Sequence, residues 1–432
     1  MYTEEEVREA TLTYFDNDEL ATNVFMTKYC LRDNEGAFVE KTPADMHERM
    51  AREFARIEEK FAGNALTEEE ILSYFKNFKY IVPQGSPMMG VGNNYVNVSL
   101  SNCVVVESPR DNISSIVDAG KHLANLFKRR CGVGLDISNL RPENAQVNNS
   151  ARTTTGAWSF ADFYSYICRM IGQNGRRGAL MISMDIRHPD IEKFITMKQN
   201  LVKVTGANVS VKISDEFMKA VENKQSFTLQ FPVDSESPTH TREVQAEHLW
   251  NEIIESATST AEPGLLMWDN IINNLPAECY KDEGFRTLTT NPCGEIPLSA
   301  YDSCRLVSLN LKHLVRNPFS EKAVFDFNKL KEITSVGMRL SDDLVELEME
   351  KLERIKEVCD TASEKELWDN LHTACTNGRR TGLGTHGLAD ALARLGLSYG
   401  SSDAVEIVEK IYQTIRDTAY TESVYLAQER GA

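Results

Sequence analysis

Apolar residues recur at helical spacing through the first 80 positions of the chain. A proline follows Thr42, which is typical of a helix start with Thr42 as the N-cap. Met46, Met50 and Phe54 then repeat every four residues. Because side chains four positions apart share one face of a helix, this stripe predicts a buried face. We therefore predict a helical N-terminal domain over residues 1–80.

From about residue 80 the pattern changes to short strands that alternate with helices. In residues 95–107 apolar and polar positions alternate, and Cys103 lies among the polar ones. Cys304 opens a second alternating run, residues 304–311, also on the polar side. A cysteine that only packs would be expected on the apolar side. The alternation of strands and helices favours an α/β fold for residues 81–432.

The same periodicities place further elements coarsely. They predict helices over residues 112–130, 162–171, 189–199, 244–258, 327–357 and 403–430, and strands over residues 180–186, 208–214 and 227–231. Two segments rich in Asn, Thr, Gly and Arg, residues 142–156 and 172–178, are expected to be functional loops.

Composition narrows the class of protein. The 432 residues are 41% hydrophobic and contain no apolar run long enough for a membrane span, so we expect a soluble protein. The first residues lack the basic and apolar regions of a signal peptide, which predicts a cytoplasmic location. The net charge of −17 disfavours a nucleic acid polymer as a partner, because binding one requires a clustered basic surface.

The nine cysteines are an odd number at irregular spacing without a CxxC pair. This argues against a disulfide scaffold and against a zinc site, so we expect no bound metal. Cys293 lies between Pro292, which fixes φ, and Gly294, which permits conformations that other residues avoid. The thiol is therefore expected on a tight loop. If this segment is extended, Asn291, Cys293 and Glu295 project to the same side.

Three kinds of chemistry would use such a cysteine. A cysteine hydrolase needs a histidine, and none of the eight lies near Cys293 in sequence, although a distant one could approach it in the fold. A thioredoxin-like dithiol would use CxxC, which is absent. The third option is a radical on Cys293 with Cys103 and Cys304 as a two-electron reductant, which requires Cα atoms within roughly 7 Å of each other.

Several motifs, in this order and at this spacing, resemble the catalytic subunit of ribonucleotide reductase from about residue 10 to the end. They are residues 86–90, 101–103, 130–134, 176–179, 291–295, 304–311 and 379–384. The resemblance implies a ten-stranded α/β barrel with a central finger loop that carries the radical cysteine. It implies that a helical domain precedes the barrel.

The resemblance also implies roles for individual residues. Cys293 would become a thiyl radical and abstract the 3′ hydrogen of a ribonucleoside di- or triphosphate. Glu295 would take the 3′-hydroxyl proton and Asn291 would position the sugar. Cys103 and Cys304 would reduce the resulting intermediate and form a disulfide. The cysteines that match no reactive position of the family are expected to be structural: Cys30, Cys131, Cys168, Cys359 and Cys375.

Substrate and effector contacts follow from the same resemblance. Substrate contacts map to Ser86, Asn102 and Gly132. A dNTP or ATP effector that selects the base would bind at Asp111, Asn112, Ile113, Arg141 and Arg176. Asp111 suits a sugar hydroxyl and the arginines suit phosphates. The alternative for Asp111 is a plain N-cap of the following helix.

The loop around Cys293 looks more like the adenosylcobalamin-dependent class, so adenosylcobalamin is the expected cofactor. The alternative is a radical supplied by a separate dimetal small subunit, with no cofactor bound in this chain. A thioredoxin or glutaredoxin-type reductant and a homodimer are further expected partners.

The chain also departs from the family pattern. The phosphate-binding loop, the distal barrel strands and a C-terminal cysteine pair are not found, so we expect an incomplete barrel that is inactive alone. There is no room before residue 80 for an ATP-binding regulatory cone. A glycyl-radical-type barrel enzyme and a non-catalytic nucleotide-binding subunit are the other candidate functions. Both predict that loss of Cys103 and Cys304 leaves turnover intact.

Overall fold

The computed structural model describes residues 1–61, 63, 65–172 and 178–431. Its helices, numbered along the chain, are α1 (Glu4–Tyr14), α2 (Glu19–Lys28), α3 (Pro43–Glu58), α4 (Glu68–Phe75), α5 (Ser86–Gly90), α6 (Ile113–Lys128), α7 (Ala157–Met170), α8 (Ile191–Thr196), α9 (Asp215–Glu222), α10 (Ala246–Thr260), α11 (Trp268–Asn274), α12 (Phe327–Glu357), α13 (Ala362–Gly378), α14 (Leu388–Arg394) and α15 (Ser402–Arg430). Within the described ranges, no helix has both the length and the apolarity that crossing a membrane requires.

The strands are β1 (Ile81–Pro83), β2 (Cys103–Val105), β3 (Gly132–Asp136), β4 (Leu180–Asp185), β5 (Asn208–Ile213), β6 (Ser226–Phe231), β7 (His240–Gln245), β8 (Gly264–Met267), β9 (Thr287–Thr290), β10 (Pro297–Ser299), β11 (Ser303–Cys304), β12 (Leu306–Asn310), β13 (Val315–Arg316), β14 (Val324–Phe325) and β15 (Gly382–His386). The chain forms two compact units. The first comprises Met1–Asn102, Cys304–Val358 and Cys375–Ala432, and the second comprises Cys103–Ser303 and Cys359–Ala374.

The first unit combines the N-terminal helices with a three-stranded sheet. Thr42 caps α3 in a capping box, as its sequence predicts. The predicted stripe of Met46, Met50 and Phe54 is completely buried and belongs to the core of this unit. In the sheet, β12 lies between β1, to which it is antiparallel, and β15, to which it is parallel. Apolar residues of β12 and α12 belong to the same core.

The second unit is built around parallel strands in the order β2–β3–β4–β5–β8. Helices lie between successive strands in the chain: α6 before β3, α7 before β4 and α8 before β5. Val133, Ile182 and Val211 on the three central strands are completely buried. Buried strands with intervening helices are the arrangement that the sequence predicted for an α/β fold.

One predicted strand is much shorter than expected. Of residues 95–107 only β2 is a strand, and all three of its residues are buried, so Cys103 does not lie on an exposed polar face. The cause is that side chains accept hydrogen bonds from the backbone amides of the residues before β2. Asn93 Oδ1 accepts hydrogen bonds from the amides of Tyr95 and Val96, and Glu348 accepts one from the Leu100 amide. These amides are therefore not available to a neighbouring strand.

Candidate active site

The segment around Cys293 is the turn of a hairpin. Strands β9 and β10 are antiparallel, with Thr290 paired to Pro297, and residues 291–296 connect them. The Asn291 amide donates to the Ile296 carbonyl at 3.1 Å and the Gly294 amide to the Asn291 carbonyl at 3.0 Å. Gly294 has φ of +83°, a conformation that favours glycine. The tight loop is as predicted, but the segment is not extended, so the expected alternation of side chains does not apply.

The three polar side chains of this turn have different environments. Asn291 is completely buried, whereas Cys293 and Glu295 are exposed. Asn291 Nδ2 donates to Cys103 Sγ at 3.2 Å, and its Oδ1 accepts from the Ile296 amide at 3.0 Å. The amide thus joins the buried thiol of β2 to the hairpin, and Cys293 lies at the exposed tip.

The hairpin packs closely on the parallel sheet of the second unit. A β-carbon at Gly134 of β3 would overlap the carbonyl oxygen of Thr290, so the close approach of β9 requires glycine there. Asn208 Nδ2, at the start of β5, donates to the Pro292 carbonyl at 2.9 Å. Neither residue was assigned a role from the sequence. Gly134 lies in a motif of the family resemblance, and Asn208 is a polar residue at the start of an apolar strand.

A chain of buried side-chain hydrogen bonds, which ends in an ion pair, also connects β9 to the sheet. Ser183 Oγ lies 2.7 Å from Asp136 Oδ2 and 2.7 Å from Thr289 Oγ1, and Lys212 Nζ lies 2.8 Å from the same Asp136 oxygen. Since Ser183 has one proton and donates it to the carboxylate, Thr289 is the donor to Ser183. All four residues are buried. Their side chains come from four different strands, which is why local sequence patterns did not reveal this chain.

Two predicted site residues meet on neighbouring strands of the same unit. Cys103 of β2 pairs in register with Gly132 of β3. Cys103 is 6% exposed. Cys103, the redox candidate, therefore lies beside both Gly132, a substrate candidate, and Asn291, the candidate for orienting the sugar.

The first unit holds the other predicted substrate and redox residues. The Asn102 amide donates to the carbonyl of Cys304 at 2.9 Å, and its Oδ1 accepts from the Leu306 amide at 3.1 Å. Asn102 Nδ2 donates to the carbonyl of Gln84, two residues before Ser86. Ser86, Asn102 and Cys304 are all buried. Asn102, the residue before Cys103, therefore ties β12, the strand that follows Cys304, to the segment just before Ser86, which begins α5.

Glu348 of α12 fixes the segment that precedes Asn102. Its carboxylate accepts hydrogen bonds from the hydroxyls of Ser99 and Ser101 and from the Leu100 amide. Glu348 is completely buried, and burial raises the pKa of its carboxyl, while the nearby Arg305 guanidinium lowers it. No sequence pattern indicated a role for this residue, because it lies about 250 positions from the groups that it binds.

The predicted effector residues line one cavity of about 270 Å³ in the second unit. Asp111, Asn112, Ile113 and Arg141 all contribute to its wall. The Asp111 carboxylate accepts hydrogen bonds from Arg141 Nε at 2.7 Å and from the Arg141 amide at 3.1 Å. The N-cap of α6 is Asn112, so the alternative role of Asp111 as the cap is wrong. Arg176 lies outside the described residues.

His188 and Asp190 anchor the loop that forms this cavity. Asp190 accepts hydrogen bonds from the amides of Glu143 and Ala157 at 2.9 and 2.8 Å. Burial lowers the pKa of His188 and so favours the neutral ring. His188 Nδ1 accepts from the Asp190 amide, so Nε2 carries the proton that is donated to the Leu140 carbonyl at 2.7 Å. No sequence pattern indicated a role for this pair, which follows β4.

Three of the cysteines predicted to be structural have a raised thiol pKa. Burial raises the pKa of Cys30 to about 12 and that of Cys168 to about 11, and it also raises the pKa of Cys359. A thiol that resists ionisation is a poor nucleophile. All nine cysteines are present as thiols.

Comparison with known proteins yields two family matches. The family described as "Ribonucleotide reductase, all-alpha domain" matches residues 15–94, and "Ribonucleotide reductase, barrel domain" matches residues 101–432. These matches confirm the predicted helical domain followed by a reductase-type α/β barrel. The class Id ribonucleotide reductase alpha subunit of Actinobacillus ureae has a similar fold, with a TM-score of 0.73 and 18% identity over 96% of this chain and 68% of that one.

Two relatives carry the name vitamin B12-dependent ribonucleoside-diphosphate reductase. The Mycobacterium tuberculosis protein is 30% identical and matches 99% of this chain, and the Thermoplasma acidophilum protein is 33% identical and matches 84%. The chain spans 58% and 43% of their respective lengths. From its matches to both domains over most of its length, the chain belongs to the ribonucleotide reductase large-subunit family.

Proposed function

We propose that the chain carries the radical and redox residues of a ribonucleotide reductase, which converts a ribonucleoside di- or triphosphate to the 2′-deoxyribonucleotide. The observation that supports this most directly is the 3.2 Å contact between Asn291 Nδ2 and Cys103 Sγ. It brings a buried thiol to the base of the turn that displays Cys293. A sugar held there would meet an orienting amide and a reductant together.

In the proposed reaction, a thiyl radical on Cys293 removes the 3′ hydrogen atom of the ribose. Glu295 accepts the proton of the 3′-hydroxyl, and the second N–H of Asn291 Nδ2 is directed to the sugar. The 2′-hydroxyl leaves as water, Cys293 returns a hydrogen atom to the 3′ carbon, and Glu295 returns the proton to the 3′ oxygen. Cys103 and Cys304 together supply two electrons and two protons and become a disulfide. The products are one deoxyribonucleotide, one water and one disulfide.

The proposed cofactor is adenosylcobalamin, because the two relatives above are named vitamin B12-dependent. When bound, it supplies the radical that oxidises the Cys293 thiol. The exposed position of Cys293 at the tip of the turn fits a radical source that approaches from outside this chain's own residues. The same exposure would also fit a separate dimetal subunit, which stays the alternative source.

The cavity of Asp111 and Arg141 is the proposed site of a dNTP or ATP effector. The Arg141 guanidinium suits a phosphate, and the Asp111 carboxylate can accept a hydrogen bond from a ribose or deoxyribose hydroxyl. Ser86, Asn102 and Gly132 are proposed to contact the substrate. A thioredoxin or glutaredoxin-type protein is proposed to re-reduce the disulfide, and the enzyme is proposed to form a homodimer.

The radical source can be tested in the assembled enzyme that contains this chain. Deoxyribonucleotide formation is measured with a dithiol reductant and either adenosylcobalamin alone or a dimetal small subunit alone. We expect product only with adenosylcobalamin. Product only with the dimetal subunit would reject the cofactor, and absence of product in both arms would reject the reductase activity.

A further inference from the structure

Two glycines of β15 have very different surroundings, although they lie two residues apart on one strand. A β-carbon at Gly384 would meet no heavy atom within 4 Å. A β-carbon at Gly382 would overlap the sulfur of Cys304 and would lie 2.9 Å from the carbonyl oxygen of Arg305. Only a hydrogen at position 382 leaves space for the Cys304 thiol where it is.

The strand cannot easily move away from this contact. Gly382 pairs with Leu306 in the parallel ladder between β15 and β12. Just before the strand, the carbonyl of Arg380 accepts a hydrogen bond from Arg305 Nη2 at 2.7 Å. Arg379 is held in turn by α12, through ion pairs with Asp342 and Glu346 at 2.8 and 2.7 Å. Residues 379–384 are thus fixed at both ends.

The thiol cannot easily move either. Cys304 is completely buried, and Arg305 beside it is 1% exposed. A close-packed interior transmits the displacement of one atom to its neighbours. A methyl group at position 382 would therefore turn the thiol to another rotamer or push β15 away from β12.

We propose that Gly382 is a positioning residue for Cys304, and that residues 379–384 form the seat of this thiol. The seat restricts the sulfur to one orientation, and the proposed oxidation of Cys304 depends on that orientation. This inference rests on the proposed function, in which these two cysteines are the reductant. It gives a role to the arginine-glycine motif at residues 379–384, which the reaction itself leaves unassigned.

A double-mutant cycle tests the contact without any activity assay. Thermal unfolding is measured for Gly382→Ala, Cys304→Ala, the double variant and the matched control Gly384→Ala. We expect Gly382→Ala to lower the Tm and Cys304→Ala to restore at least half of that loss, because the added methyl group then has space. Gly384→Ala should leave the Tm unchanged. An equal loss with and without the Cys304 sulfur, including failure of both variants to fold, would overturn the proposal.

A redox titration supplies a readout that a purely structural glycine would not change. The protein is equilibrated with reduced and oxidised glutathione, and the Cys103–Cys304 disulfide is quantified by mass spectrometry. Its formation transfers two electrons and two protons to one oxidised glutathione, which becomes two reduced molecules. We expect Gly382→Ala to change the glutathione ratio at half-oxidation by about tenfold, equivalent to about 30 mV, towards less disulfide. Gly384→Ala should match the wild type.

The two experiments separate the two claims. If the wild type forms no Cys103–Cys304 disulfide, the proposed redox pair is wrong, and the double-mutant cycle still decides whether Gly382 seats the thiol. If the wild type forms the disulfide and Gly382→Ala forms it at the same ratio, the positioning role is wrong and the redox pair stands.

Discussion

Asn291 stabilises the turn and is also the residue proposed to orient the sugar. Its amide closes the turn through Ile296 and reaches the thiol of Cys103. A buried amide with satisfied hydrogen bonds is costly to replace, because its partners would lose theirs. Replacing a residue that orients this turn should therefore lower the free energy of unfolding as well as the rate of turnover.

Thr289 and Thr290 offer a matched test on adjacent positions of β9. Both are completely buried, and Thr289 donates to Ser183. Within the described part of the chain, Thr290 Oγ1 has no hydrogen-bond partner. We expect Thr289→Val to lower the free energy of unfolding by about 1 kcal/mol and Thr290→Val to leave it unchanged or raise it. Urea denaturation measures both, and equal effects would show that the Thr289–Ser183 bond does not stabilise the hairpin.

His47 gives a pH-dependent prediction. Burial in α3, together with the nearby Arg49 guanidinium, lowers its pKa to about 4. The folded protein therefore binds fewer protons than the unfolded chain between pH 4 and about 6.5. The contribution of a neutral His47 is fully present above this range and is lost as the pH falls through it, by up to about 3 kcal/mol.

The measurement is urea denaturation from pH 4.5 to 7.5 for the wild type, His47→Gln and the exposed control His240→Gln. The difference between wild type and His47→Gln should shrink steadily as the pH falls, whereas His240→Gln should follow the wild type. A difference that is constant over this range would show that His47 is not kept neutral by burial.

Helix α12 is the element that organises the first unit around Cys304. Glu348 holds the segment before Asn102, and Asp342 and Glu346 hold Arg379 at the start of the Cys304 seat. The segment before Asn102 lies about 250 positions from Glu348 in the sequence. Arg379 lies about 35 positions from Asp342 and Glu346. One long helix thus fixes both the chain that leads to Cys103 and the strand that packs on Cys304.

Glu348→Gln tests this role, with Glu350→Gln as a control on the same helix. The Glu348 carboxylate accepts from three donors, and an amide would turn an N–H₂ group toward some of them. We expect Glu348→Gln to lower the free energy of unfolding by about 3 kcal/mol. Glu350 forms partly exposed ion pairs with Arg56 and Lys60, so its replacement should cost less than about 1 kcal/mol. Chemical denaturation of both variants measures the difference; similar losses would contradict the role of Glu348.

The helices were the most predictable elements. Helix α12 has the predicted bounds and α15 begins one residue earlier than predicted, because long periodic stripes identify amphipathic helices well. The segment before Cys103 was predicted as a strand and is largely irregular, since Asn93 and Glu348 bind its amides. The seat of Cys304 was not predictable, because the Gly382 contact joins residues 78 positions apart.

At the scale of the whole molecule, the order of the motifs indicated the family before any contact was known. The two domain matches confirm the family, and the net charge of −17 lacks the basic excess that binding a nucleic acid polymer requires. The proposed residues divide between the two units: Ser86, Asn102 and Cys304 lie in the first, and Cys103 and the hairpin lie in the second.

The most direct test concerns Cys293. In the assembled enzyme that contains this chain, deoxyribonucleotide formation is measured with a ribonucleoside diphosphate, adenosylcobalamin and a dithiol, for the wild type, Cys293→Ala and Cys279→Ala. Cys279 is the matched control, because its thiol is also exposed. We expect Cys293→Ala to reduce product to background while Cys279→Ala keeps the wild-type rate. Product at the wild-type rate from Cys293→Ala would contradict a thiyl radical on Cys293.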